Sequence, residues 1–169
     1  MKKNLLPMCV AGLLSIGVLT VHAQLDPSEM VLGGIVLGET LADVEADYGE
    51  PVSSRVGGFW YAYCSFGDTM GIIVQPDDYT NLDDLTKSCV VGIGSKSSNG
   101  VKTPRGIGVG STEEEVLAAY GAPDSIRQGN WGKGYTYYDR ANRRGASSLQ
   151  IQMKDGVVIS ISVSEGTGE

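Results

Sequence analysis

The chain has 169 residues, 41% of them hydrophobic and 20% charged, so it can build a core and does not belong to the compositionally disordered class. Its 13 basic and 20 acidic residues give a net charge of −7, and loss of Lys2 and Lys3 with an N-terminal leader would take this to −9. That balance argues against a general nucleic-acid or anionic-membrane binder, which needs a basic surface.

The leader is read from three features. Lys2 and Lys3 make a positive start, an apolar run extends from Leu5 to Val21, and Val21-His22-Ala23 offers small residues at a cleavage position. Residues 1–23 therefore read as a signal peptide. Pro7, Gly12 and Gly17 interrupt the run and weigh against a membrane-spanning helix. The mature chain is expected to be exported, either periplasmic or secreted, with no membrane span after cleavage. Cleavage removes His22, the single histidine, together with Cys9. Cys64 and Cys89 remain, and an oxidising compartment favours a disulfide between them.

An internal repeat follows. Gly34 to Pro51 matches Gly106 to Pro123, with Gly, Ile, Gly, Thr, Val, Tyr, Gly and Pro in register. Thr40 and Thr112 are placed as N-caps, with Asp43 and Glu115 three residues on to complete capping boxes. Gly49 and Gly121 suit the C-caps, and Pro51 and Pro123 prevent continuation. Each copy predicts one short helix.

Beyond each helix the period changes to two. In the first copy, Phe59 to Phe66, Met70 to Gln75 and Cys89 to Gly94 read as strands, with Pro76 to Lys87 as an acidic excursion. In the second, Tyr135 to Tyr138 precedes a strand with Leu149, Ile151 and Met153 on one face. Asp155-Gly156 then makes a hairpin turn into Val157, Ile159, Ile161 and Val163, with Ser160 and Ser162 on the other face. The predicted fold is α+β: two tandem repeats, each a short capped helix followed by about three antiparallel strands, packed as one unit or sharing a sheet. The first repeat covers 24–100, the second 101–164, and 165–169 form a frayed tail.

This pattern resembles the SmpA/OmlA group of small outer-membrane assembly lipoproteins. The tandem duplication, with Trp60-Tyr61-Ala62-Tyr63-Cys64-Ser65-Phe66-Gly67, also resembles the beta-lactamase inhibitory protein. The resemblance implies a non-enzymatic binding protein that uses the open face of its sheet and the adjoining loops. Phe59 stands where the inhibitor has an aspartate, and the lipidated cysteine of the assembly lipoproteins is missing.

Aromatic residues are the leading site candidates. Trp60, Tyr61 and Tyr63 lie in one strand, Tyr135 and Tyr138 in its counterpart, and Trp131 in the loop before it. Tyr and Trp supply large contact areas with a polar tip and are enriched at binding hot spots. The other reading is that one set is core and the other ordinary strand composition. Asp68 and the basic loop residues Arg140, Arg143 and Arg144 are secondary candidates, since arginine forks suit carboxylate or phosphate partners. Asp77, Asp78, Asn81, Asp83 and Asp84 gather oxygen ligands, but the spacing does not fit a calcium loop, so neither metal nor cofactor is expected. The mature chain lacks a histidine base and a phosphate-cradling glycine motif, which disfavours catalysis.

The sequence thus predicts an exported, monomeric, non-enzymatic module that binds another protein, as an envelope assembly or scaffold factor. Two alternatives stay open: an inhibitor of a beta-lactamase-like or other envelope hydrolase that inserts the Ser65–Thr69 hairpin, and a small carboxylate-dependent enzyme.

Overall fold

A computed structural model describes residues 25–57, 61–67, 70–139 and 146–166. The leader 1–23 and the site candidates Trp60, Asp68, Arg140, Arg143 and Arg144 lie outside these residues, as does part of the Ser65–Thr69 hairpin.

The described chain opens with a 3-10 turn, Pro27–Glu29, capped by Asp26, and a small hairpin of β1 (Val31–Leu32) and β2 (Ile35–Val36). Helix α1 (Leu41–Tyr48) carries the expected capping box. The Thr40 hydroxyl accepts from the Asp43 backbone N–H at 3.2 Å, and the Asp43 carboxylate accepts from the Thr40 N–H at 3.1 Å. Four strands follow: β3 (Ser53–Val56), β4 (Ala62–Phe66), β5 (Met70–Gln75) and β6 (Cys89–Ser95). Helix α2 (Glu113–Tyr120) has the same box between Thr112 and Glu115. Four more strands complete the chain: β7 (Ser125–Gly129), β8 (Gly132–Tyr138), β9 (Ser148–Lys154) and β10 (Val157–Ser164).

All eight of these later strands form one antiparallel sheet in the order β3-β4-β5-β6-β10-β9-β8-β7. The Asp155-Gly156 turn has positive φ at both residues, 52° and 77°, as the tight twisted hairpin turn requires. This architecture overturns the expected pair of helix-plus-three-strand repeats. The fold is a continuous eight-stranded sheet with a two-stranded companion and, among the described residues, two helices of eight residues each. The physical reason lies in β3 and β7. Both are polar, largely exposed edge strands without apolar alternation, so the sheet is broader than its apolar pattern suggests.

The core lies on one face of the sheet. Leu41 and Val44 from α1, Val116 and Tyr120 from α2, and Leu25, Met30, Leu32 and Ile35 from the N-terminal segment join the inward residues of the strands. Contacts fix the helices to this face. Tyr137 Oη donates to the Gly121 carbonyl at 3.1 Å, the Tyr120 and Tyr137 rings lie 5.3 Å apart, and Tyr48 meets Phe66 edge-on at 6.3 Å.

The expected disulfide is absent. Cys64 is buried, Cys89 is exposed, and both are free thiols. The register places Cys64 across from Ile72, and Ile72 across from Ile93, so Cys89 lies two strands away and four residues further along β6. From strand spacing and rise their Cα atoms are roughly 16 Å apart, beyond the ~7 Å limit for a bridge.

Candidate functional site: the open face of the sheet

Alternation sends every second side chain to the face opposite the helices. In the central strands many of those positions hold small residues. One row across the sheet reads Ser65, Gly71, Gly94, Ser162, Gln150 and Thr136, each opposite the next. A second row reads Tyr63, Ile73, Gly92, Ser164, Ser148 and Tyr138. The two tyrosines therefore face each other across a floor of glycine and serine interrupted by Ile73, separated by five strand spacings, or about 24 Å.

The result is a trough. One concavity of about 600 Å³ lies over β4, β5, β6 and β10, with Gly71, Gly94 and Ser162 in its lining. A second of about 610 Å³ adjoins it through Tyr63, Ile73 and Ser164, and reaches Tyr61 and Tyr138. A third, about 160 Å³, continues past Tyr138 to Trp131 and Arg127. The Glu165 backbone N–H donates to the Val91 carbonyl at 2.8 Å, so the start of the expected tail is hydrogen-bonded beside the trough.

Glycines let the flanking aromatics lie flat. A Cβ at Gly57 would stand 2.6 Å from Tyr63 Cε2, and a Cβ at Gly134 would stand 2.9 Å from Trp131 Cη2. Tyr63, Trp131 and Tyr138 are 40%, 45% and 40% exposed, whereas Tyr61 is half-buried at one end. Arg55 stands opposite Tyr63 with its guanidinium carbon 5.6 Å from the ring centre, a cation–π contact. Four of the six predicted aromatic residues thus border the trough, and Trp60 lies outside the described residues. Tyr135 does not join them. It is 5% exposed on the helix side, where its hydroxyl donates to Glu113 Oε1.

That carboxylate also receives Lys133 Nζ at 2.7 Å. The two donors, Lys133 foremost, hold the Glu113 carboxyl below the usual glutamate range. Burial, followed by the bond to Glu113, raises the Tyr135 phenol. A second ion pair joins Arg105 to Glu29 at 2.7 Å, with the guanidinium 4.9 Å from the Tyr120 ring centre. Burial likewise pushes the Cys64 thiol up, which disfavours the reactive thiolate. The Glu113 contacts tie α2 to the sheet, and Arg105, which also donates to the Ala119 carbonyl, ties the N-terminal segment to α2. Among the described residues no group of three or more His, Cys, Asp or Glu could hold a metal ion.

The sequence reading missed Arg55, Arg127 and the glycine-serine floor. Its signal was present as small residues at alternate positions: Gly92 and Gly94 in β6, and Ser160, Ser162 and Ser164 in β10.

No protein family and no curated protein matches the sequence. Solved structures do match the fold. A cysteine-rich secretory protein from Staphylococcus aureus superposes with a TM-score of 0.53 at 12% identity, over 85% of this chain and 49% of that one. An extracellular protein containing an SCP domain, from Bacillus anthracis, gives 0.48 at 13% identity, over 76% and 43%. The chain spans about half the length of these proteins. The likeness is one of fold. It replaces the expected resemblance to the beta-lactamase inhibitory protein and to the SmpA/OmlA lipoproteins, whose helix-plus-sheet repeats give way here to a sheet-dominated architecture. No helix among the described residues is long and apolar enough to cross a membrane.

Proposed function

We propose that the protein is an exported, non-catalytic module that binds another protein on the open face of its sheet. The observation that carries this reading is the trough itself: a glycine-serine floor between exposed Tyr63, Trp131 and Tyr138 on a sheet face that neither helix covers. Large exposed aromatics beside small residues give a flat surface with hydrogen-bonding tips, suited to polypeptide contact. The lining mixes serine hydroxyls and glutamine amides with apolar surface from Ile73 and Val91, and among the described residues no pair of carboxylates faces across it, which favours binding over acid–base chemistry. The leader-like N-terminus, and a fold shared with a secretory protein, support export.

Retention of extracellular and envelope proteins on the immobilised protein tests the reading, with a Tyr63→Ala/Tyr138→Ala variant of equal melting temperature run alongside. A protein retained by the wild type and lost by the variant supports it. Retention that ignores both substitutions, or a turnover activity abolished by one carboxylate change, overturns it.

A further inference from the structure

We infer that the occupant of the trough is an acidic polypeptide segment lying across the strands, held near its ends by Arg55 and Arg127 and along its course by Lys96. This rests on the binding-module reading and gives the partner its chemistry.

The first observation is charge segregation. Acidic residues gather on the helix side: Asp43, Glu45 and Asp47 on α1, and Glu113, Glu114 and Glu115 on α2. The trough lining instead holds Lys96 and Arg127 against a single acid, Glu165, while Arg55 flanks Tyr63. On a chain of net charge −7, a cationic face runs against composition. Arg55, Lys96 and Arg127 are exposed and make no ion pair among the described residues, whereas Arg105 and Lys133 each make one. Their charges are free to meet an external carboxylate.

The second observation is the floor. Glycine inside a strand is destabilising and often marks the close approach of another backbone. A Cβ at Gly71 would meet nothing within 4 Å, and at Gly94 its nearest neighbour would be Ser162 Cβ at 3.6 Å, an ordinary contact. Neither glycine has the positive φ that would demand it. Internal packing therefore explains neither residue, and a chain laid on the floor explains both.

The third is span. Arg55 and Arg127 lie on the two edge strands of the sheet, seven strand spacings apart and offset by four residues along the strands, or roughly 36 Å. A single small anion cannot bridge that distance, but about eleven extended residues can. Acidic groups near both ends of such a segment would meet both arginines while its middle crossed Gly71, Gly94 and Ser162.

Selection of random displayed peptides on the immobilised protein tests this. The expected winners carry Asp or Glu near both ends. Their affinity should fall at least tenfold for Arg55→Glu/Arg127→Glu and weaken with salt, and that variant should itself select Lys- or Arg-ended peptides. Gly71→Leu should abolish binding of either set, with melting curves confirming that each variant is folded. Winners without acidic ends that are still lost with Gly71→Leu would overturn the acidic assignment and leave the trough reading intact. Acid-ended winners indifferent to Gly71→Leu would overturn both. No winners at all, or self-association of the protein through this face, would overturn the acidic-segment assignment.

Discussion

The two faces of the eight-stranded sheet are built by the same strands and differ at nearly every position. In β10 a register shift between Val158 and Ser160 breaks the expected alternation. Val158, Ile161 and Val163 are therefore buried beneath the helix layer, Val157 and Ile159 are exposed, and Ser160, Ser162 and Ser164 face out. In β6, Val90 and Ile93 are buried against Gly92 and Gly94 on the other side. The helix side has the large, closely packed residues that folding needs. The open side has small floor residues that add little to sheet stability, along with Arg55, Lys96 and Arg127, which make no ion pair among the described residues. The contrast separates what folds the protein from what the protein offers to others.

Substitutions on the two faces should diverge, and the largest effect belongs to the helix side. Leu149→Ala removes a fully buried side chain from β9 and should cost about 2–5 kcal/mol in urea unfolding. A loss under 1 kcal/mol would mean the helix layer packs loosely. Next comes the cap. Thr112→Ala removes the hydroxyl that accepts from the Glu115 N–H and should cost about 1 kcal/mol, with Thr40→Ala similar because its box has the same geometry. Unequal losses would show that one helix matters more to the helix-side layer than the other.

Acid titration gives a smaller effect on the same face. Lys133 and Tyr135 lower the folded pKa of Glu113, so their stabilisation is complete above the ordinary glutamate range and is lost as pH falls through the folded value. Between about pH 5 and pH 3 the wild type should therefore lose more stability than Glu113→Gln. Parallel pH profiles would remove the linkage. The smallest effect belongs to the open face. Gly71→Ala should leave stability within about 0.5 kcal/mol of the wild type or raise it slightly, because the strand glycine has open space around it. A large loss there would erase the distinction between the faces.

Much of the helix side was legible in the sequence. Thr40 with Asp43 and Thr112 with Glu115 announced both helices, and Leu149, Ile151 and Met153 announced β9 by their alternation. The edge strands were not. Ser53-Ser54-Arg55-Val56 and Ser125-Ile126-Arg127-Gln128-Gly129 pair along one side only and bury nothing, so they lack the apolar period that marks a strand. Without them, each repeat read as a helix with about three strands, and the eight-stranded width of the sheet was missed. Tyr61, Tyr63, Trp131 and Tyr138 were legible as site candidates because aromatics are conspicuous. Tyr135 could not be assigned a face until the register placed Tyr137 and Tyr135 beneath α2 and Thr136 above. The disulfide depended on a distance that residue counting does not supply.

The central claim is that the open face serves binding and not folding, and Ser162→Phe tests it most directly. Ser162 stands mid-floor between Gly94 and Gln150, so a phenyl ring there fills the trough from its centre. Thermal melting and partner retention, measured on the same preparation, should show an unchanged midpoint and abolished retention. Undiminished retention at an unchanged midpoint would contradict the account.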